Sequence, residues 1–539
     1  MSITKENTLT LRDLIYNSAE EFEENTFIRY KVKKNIIDKS YRQFKTDCEA
    51  FGSFIKENIS NDRLHIAIVG TTAYHYLTGF FGTVISNNII VPLDSQLSAD
   101  DICDCVNRAD VTVFLYDSRF SALVPKVREL CPQVTDIVQL DGSPIDDSIY
   151  SLDSIVKEYN GKSTNVEIDP KSCTAIIYTS GTTGKSKGVM LSHENLMDNC
   201  FCNDNESKVG DIILSALPIH HVYCLSCDII LSIKYGAIVC INDNLMHLGK
   251  NIATFQPNKM LLVPMIIQTL LFKINALCKE NPTIDKQLIA RKVLGDNLTI
   301  IFSGGAYLSP NIIKGFNELG IKVAQGYGMT ECSPRISTGS EFEDNPIDSI
   351  GKIVNGCQVR IVDGEIQVKS KSVMMGYYKN PQATKETITE DGWLRTGDLG
   401  YKDDNGCLYI TGRKKNLIIL DNGENVSPEE LENKFADNLL VKEVLVYAKD
   451  YVITAEIFPN LDYAEANNIT DIKSQLQKDI DSINLTLPSA KTIRNLVVRT
   501  VEFEKTTSKK IKRSHTTNTS VTLNVNKSVS LSFCNELSI

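Results

Sequence analysis

The chain predicts an α/β protein. A large N-terminal domain would hold two parallel-sheet βα subdomains and a small β-rich subdomain, and a small mobile α/β C-terminal domain would follow. Three observations carry this. Strand-like apolar runs alternate with helical stretches from His65, and again after Ser192, as in parallel sheets covered by helices. Beyond Pro346 the texture changes to short β segments. After a glycine-led basic segment, Gly412-Arg413-Lys414-Lys415-Asn416, a new helix start appears at Ser427. A length of 539 residues is enough for more than one domain.

In order, residues 8–60 read as mostly helical, with one strand-like segment from Phe27 to Val32. His65 to Gly70 is a buried strand, a helical stretch runs to Asn87, and Ile89 to Leu93 is the next strand. Asp100 to Ala109 reads as helix, Val111 to Tyr116 as strand, and Phe120 to Leu130 as helix. Ala175 to Tyr178 is an apolar run ending on glycine-rich residues, and Gly188 to Leu191 is a strand. Ser192 caps a helix from His193. The second series places strands at Ile212–Pro218, Ala237–Ile241, Lys259–Val263 and Thr299–Ala306. Ligands in open parallel sheets bind at strand C-terminal ends, where the Gly-rich runs fall. Short β segments follow at Gln358–Val362, Glu365–Lys369, Trp393–Asp398 and Leu408–Thr411. Ser427-Pro428-Glu429-Glu430 gives a cap, a proline at the first helical position and a glutamate at the third. The expected division is 1–412, a hinge at 413–416, a C-terminal domain at 417–513, and a loose Ser/Thr/Asn-rich tail at 514–539.

Composition narrows the function. The net charge of −10 disfavours broad nucleic-acid binding. The N-terminus has no apolar signal region, and no run of eighteen apolar residues occurs. The expectation is a cytoplasmic protein without a transmembrane segment. Fifteen cysteines are scattered without the paired spacing of a zinc site, and Cys224-Leu225-Ser226-Cys227 stands alone.

The densest chemical signal is Thr179-Ser180-Gly181-Thr182-Thr183-Gly184-Lys185-Ser186-Lys187-Gly188. Glycines let backbone N–H groups turn to an anion, hydroxyls add donors and lysine adds charge: a phosphate cradle. A Walker loop would need glycine at 179 and a helix after the lysine; here Thr179 and a strand stand instead. This run resembles the phosphate loop of the adenylate-forming superfamily of acyl-CoA synthetases, peptide-synthetase adenylation domains and luciferases. The resemblance assigns Thr179, Ser180, Gly181, Thr182, Thr183, Gly184 and Lys187 to the phosphates of ATP.

Four further motifs occur in that family's order. In Gly326-Tyr327-Gly328-Met329-Thr330-Glu331, Tyr327 offers a flat face for a purine and Glu331 an oxygen ligand for Mg²⁺. The family's pattern puts the aromatic on adenine, Thr330 on phosphate and Glu331 on the metal. Ser303-Gly304-Gly305-Ala306 matches its other adenine-side segment. Asp398, in Trp393-Leu394-Arg395-Thr396-Gly397-Asp398, falls at its ribose-binding position. Arg413 matches its nucleotide-contacting arginine and Lys415 its hinge residue. Glu504-Lys505-Thr506-Thr507-Ser508-Lys509-Lys510-Ile511-Lys512-Arg513 resembles its C-terminal motif and puts the catalytic lysine at Lys510. Glu504 and Lys509 replace the usual Pro and Gly. The resemblance spans residues 10–513.

The resemblance implies acid activation by ATP to acyl-AMP, then thioester formation with CoA. Lys510, Thr330 and Glu331 would be catalytic. The small domain would then rotate and bring Gly423 to the thiol tunnel. Leu217 to Tyr223 matches the acyl-pocket segment, with His221 and Tyr223 facing the acid. No aspartate stands there for an amino acid's ammonium group, so an apolar acid is expected, with bacterial-type fatty-acyl-CoA synthetases the nearest pattern. An acyl carrier protein is an alternative acceptor. A P-loop NTPase and a non-catalytic nucleotide-binding protein are the rival readings from other classes.

Overall fold

A computed structural model describes residues 3–179, 186–203, 207–340, 345–420, 423–449, 451–505 and 510–513. Two large sheets and a central helical layer dominate. The first sheet has eight strands, in the order Gly376–Tyr377, Lys187–Ser192, Cys173–Thr179, Ile89–Leu93, His65–Val69, Val113–Tyr116, Asp136–Gln139, Tyr150–Ser151. Its pairs from Cys173–Thr179 to the last strand are parallel. The second has nine, in the order Lys352–Ile353, Arg335–Thr338, Lys322–Gly328, Ile300–Ser303, Lys259–Leu262, Ile212–Ser215, Ile238–Ile241, Thr26–Val32, Asn35–Ser40.

Strand periodicity explains the layering. Side chains alternate across a sheet, so both faces of a parallel strand need apolar residues. Ile66 and Ile68 enter a central core, while Ala67 and Val69 enter an outer one. In the other sheet Leu261 faces the same central core, and Met260 and Leu262 face a second outer core. The central core also holds buried residues of the helices Leu11–Glu21, Tyr41–Phe54, Tyr74–Ile85 and His193–Cys200. The result is helix, sheet, helix, sheet, helix. A four-stranded antiparallel sheet follows, Gln358–Val362, Glu365–Lys369, Leu394–Lys402 and Leu408–Arg413. The C-terminal region has its own core, around Leu431, Phe435, Ile457 and Leu476.

Several expectations need correction. The segment 8–60 contains a second strand, Asn35–Ser40, pairing antiparallel with Thr26–Val32. Its residues alternate weakly because most are solvent-exposed or half-exposed, so the period-2 signal was faint. Phe120–Leu130 begins as a 3-10 turn and becomes α-helix only at Val124. The second-series strands are shorter than their apolar runs: Ile212–Ser215 stops before Pro218, and Ile300–Ser303 stops before the glycines. Gly326, Tyr327 and Gly328 close the strand Lys322–Gly328. The caps at Ser192 and Ser427 form as read. The stretch 514–539 lies outside the described residues. No helix among the described residues is long and apolar enough to cross a membrane.

The capped helix His193–Cys200 also ties the N-terminal helix to the core. The Leu11 backbone N–H donates to His193 Nδ1 at 3.3 Å. Burial pushes the His193 pKa down to about 3. The unfolded chain therefore takes up this proton first, and stability falls as pH drops from about 6.5 towards 3. At pH 5 this one group costs about 2 kcal/mol. The drop in thermal midpoint between pH 7 and pH 5 is therefore expected to shrink in His193→Asn. An equal drop in both proteins would refute the assignment.

Candidate active site

A cavity of about 2180 Å³ opens where the second large sheet, the four-stranded sheet and the C-terminal region meet. Topology brings the motifs together there. Ile300–Ser303 and Lys322–Gly328 are adjacent parallel strands, so Gly304–Ala306 and Gly326–Thr330 emerge at one edge. In the four-stranded sheet, Asp398 lies directly opposite Arg413. The Arg413 Nε donates to Asp398 Oδ1 at 2.7 Å, and the Tyr327 hydroxyl donates to Oδ2 at 2.6 Å. Burial raises the Asp398 pKa, and the Arg413 charge and the Tyr327 hydrogen bond oppose that. Asp398 is thus a strand residue in an ion pair and not the turn residue that Thr-Gly-Asp suggests in isolation.

Lys510 enters this cavity from the C-terminal region. Burial lowers its pKa first, the neighbouring Arg413 lowers it further, and Asp398 opposes both. Its charge also reaches His221, whose pKa burial has already lowered. Lys415 is depressed likewise, by burial and then by Arg413. A reaction that needs the Lys510 ammonium must therefore fail on the alkaline side at a lower pH than an ordinary lysine would set. Lys510→Arg keeps its charge through this range. Its alkaline limb is expected at higher pH than the wild type's in a pH profile of the first half-reaction; coincident limbs would exclude Lys510 as the titrating group.

Two glycines are sterically fixed. A Cβ on Gly304 would lie 2.9 Å from the Tyr223 ring, and one on Gly328 would lie 2.0 Å from the Pro334 carbonyl oxygen. The first lets the Tyr223 ring close against the sheet edge, where its hydroxyl donates to the Phe302 carbonyl at 3.4 Å. Glu331 is buried, and its Oε1 accepts from the Tyr377 hydroxyl at 2.8 Å. The Lys187 ammonium stands 4.7 Å from the centre of the Tyr377 ring. Tyr377 is thus the bridge between Lys187, at the end of the glycine- and hydroxyl-rich segment, and Glu331, and motif reading missed it. Its signal is structural: Gly376–Tyr377 pairs with Val189–Met190, next to the loop.

His221, Tyr223, Gly305, Ala306, Thr179, Lys187 and Thr330 all line the cavity. His220 sits behind His221, rings 4.3 Å apart, with its Nε2 3.5 Å from Asp94 Oδ1. Burial, then the neighbouring His221, lowers the His220 pKa to about 3, so it is neutral at pH 7. Ser180, Gly181, Thr182, Thr183 and Gly184 lie outside the described residues. Gly423 does not line the cavity; it has φ +79°, and a Cβ added there would meet no described atom within 4 Å. Among the described residues no group of three or more His, Cys, Asp or Glu side chains could hold a metal ion. One contact spans the two regions that motifs did not anticipate. Asp437 accepts from Ser309 Oγ at 2.6 Å and from Asn311 Nδ2 at 2.7 Å.

Residues 15–378 match the family described as AMP-binding enzyme, and residues 415–520 match the AMP-binding enzyme C-terminal domain. The long-chain-fatty-acid–CoA ligase FadD15 of Mycobacterium bovis is 26% identical over 525 residues, covering 83% of this chain and 85% of its own. The rat (Rattus norvegicus) long-chain-fatty-acid–CoA ligase ACSBG2 is 28% identical over 504 residues, covering 81% and 74%. Among solved structures, the anthranilate CoA ligase AuaEII with anthranoyl-AMP superposes with a TM-score of 0.80 at 18% identity, covering 95% of this chain and 98% of its own. A Mycobacterium tuberculosis fatty acyl CoA synthetase superposes with a TM-score of 0.69 at 21% identity, covering 93% and 96%. With both parts of the chain matched, this protein belongs to the AMP-binding enzyme family.

Proposed function

We propose that the protein activates a fatty acid with ATP and transfers the acyl group to CoA. The observation that carries this reading is the convergence of Lys510 with Arg413, Asp398, Tyr327 and Glu331 on one cavity, although they come from distant parts of the chain. In the first half-reaction a carboxylate oxygen attacks the α-phosphorus, the bond to the bridging oxygen breaks, and pyrophosphate leaves. In the second the CoA sulfur attacks the acyl carbonyl carbon, its proton is lost, and AMP leaves.

The chain's own groups have distinct tasks. The glycine- and hydroxyl-rich segment from Thr179 to Lys187 holds the departing pyrophosphate. Tyr327 and the Gly304–Ala306 edge hold adenine, and Asp398 with Arg413 holds the ribose side. Thr330 donates to phosphate. Lys510 donates to the carboxylate and α-phosphate oxygens as negative charge gathers, the kind of pre-aimed stabilisation that matters most away from water. Glu331 is a buried carboxylate that lines the cavity beside Thr330. That fits Mg²⁺, which commonly takes one or two carboxylates plus phosphate oxygens, so Glu331 would hold the ion and the ion would neutralise phosphate charge. The segment 413–416 is the hinge about which the C-terminal domain turns, withdrawing Lys510 and bringing Gly423 to the thiol.

A fatty acid is favoured by the apolar wall, with Leu261, Val263, Ile266 and Val222 lining the cavity, and by the names of the curated relatives. The same names favour CoA over a carrier protein as acceptor and give the P-loop NTPase reading no support. Use of ATP and CoA suits a cytoplasmic protein. The test is acid-dependent ATP–pyrophosphate exchange over short to long fatty acids, aryl acids and amino acids, repeated with CoA while following AMP. Exchange and CoA-dependent AMP release with fatty acids is the expected result. ADP as product, or no acid dependence, would overturn the proposal.

A further inference from the structure

The cavity does not end at the nucleotide side. One arm runs down between the second large sheet and the helix that follows Tyr223. On the strand Lys259–Leu262, Lys259 and Leu261 are alternate residues on one face, and Val263, still extended just past the strand's end, continues that face towards the central core. On the facing wall, Tyr223 and Cys227 from a π-helical stretch and Leu231 from the start of the α-helix after it line the same cavity. The two series run in opposite directions. Tyr223 packs at the upper end, against Gly304 beyond the sheet edge. Lys259 starts its strand and so marks the lower end.

The walls are apolar and the floor is not. The Lys259 ammonium sits 3.2 Å from Asp211 Oδ2 and 3.5 Å from Ser207 Oγ, and its side chain is only 6% exposed. An ion pair this deep is costly to strip of its remaining polar contacts, and an alkyl chain offers it none in return. We infer that the Lys259–Asp211 pair is the floor of the acyl tunnel and sets the longest fatty acid the protein handles well. From Val263 to Lys259 the strand advances four residues, about 13 Å. An extended alkyl chain built from C–C bonds of about 1.5 Å advances about 1.3 Å per carbon. That wall therefore takes about ten carbons beyond the tunnel mouth. This inference rests on the fatty-acid reading and adds the feature that selects among fatty acids.

The experiment is the profile of kcat/KM against chain length for saturated acids, in wild type and two variants. Each methylene that reaches apolar wall is expected to raise kcat/KM about three- to fourfold until the floor is met, after which the profile falls. Removing one member of the pair alone would strand a buried charge, so both are replaced in Lys259→Met/Asp211→Leu. Its optimum is expected to move at least two carbons longer. Leu261→Trp blocks the arm halfway down without touching the pair, and its optimum is expected to move shorter. Unmoved optima in both variants would overturn the inference while leaving fatty-acid activation intact. A wild-type preference for acids with a terminal hydroxyl or carboxyl would also overturn it, because the pair would then be a binding group. Absence of exchange with every fatty acid would sink both this inference and the function it rests on.

Discussion

Lys510→Ala is expected to slow acid-dependent ATP–pyrophosphate exchange by about 10²–10³-fold, the usual cost of deleting one aimed donor from a site of this kind. Thioester formation from supplied acyl-AMP is expected to persist. The split follows from geometry. Lys510 lines the cavity beside Arg413 and Asp398, where the nucleotide's sugar and phosphates are proposed to sit. Its charge serves the step in which phosphate and carboxylate oxygens approach each other. In the second half-reaction the α-phosphate is already on the leaving group, and the proposed turn of the C-terminal region would withdraw Lys510. Equal loss in both half-reactions would refute this role for Lys510. Adjacent Lys509 lies outside the described residues; Lys509→Ala, with exchange preserved, would complete the assignment.

Lys415→Pro is expected to separate the half-reactions the other way. Lys414–Asn416 forms a 3-10 turn directly after the strand that ends at Arg413. Proline fixes φ near −65°, which suits such a turn, but it forbids the large excursions that the proposed rotation about this point would demand. The cost within the present arrangement falls on Lys414, which proline pushes towards extended backbone. Exchange should therefore suffer modestly. CoA-dependent AMP release should fall by about 10²-fold, the scale on which misplacement of reacting groups acts. Single-turnover measurement of acyl-AMP and acyl-CoA distinguishes the two steps. Unchanged overall turnover would remove residue 415 from the hinge.

Much of this architecture was legible in the sequence, for reasons particular elements make plain. Runs such as Ile66-Ala67-Ile68-Val69 are apolar on both faces because two different cores receive them, and that signature survives without tertiary information. Ser427 with Pro428 and Glu430 announces a helix by local chemistry alone. The strand Asn35–Ser40 escaped because much of it faces solvent and only hydrogen bonds to its neighbour hold it. In the site, residues in dense motifs were found and residues acting alone were not. Tyr377 owes its place beside Glu331 and Lys187 to sheet pairing across almost two hundred residues of chain. Asp437 is one acid among many until the fold carries it to Ser309. Likewise Lys259 reads as an ordinary strand-end lysine; only its depth in the sheet shows that its amine ends inside the protein.

Under the proposed turn of the C-terminal region, the Asp437 contact would bear on how fast the molecule cycles. Its carboxylate takes two hydrogen bonds from the start of the helix Pro310–Glu318, where the helix end favours negative charge. Two charge-assisted bonds at about 1.5 kcal/mol each would bias the clasped arrangement by about 10²-fold. A grip of that size is a latch rather than a weld: firm enough to shut the chamber for one event, and loose enough to spring open without outside help. Tempo would then be governed by a single surface-proximal acid, and a weaker grip would trade idle openings for quicker release.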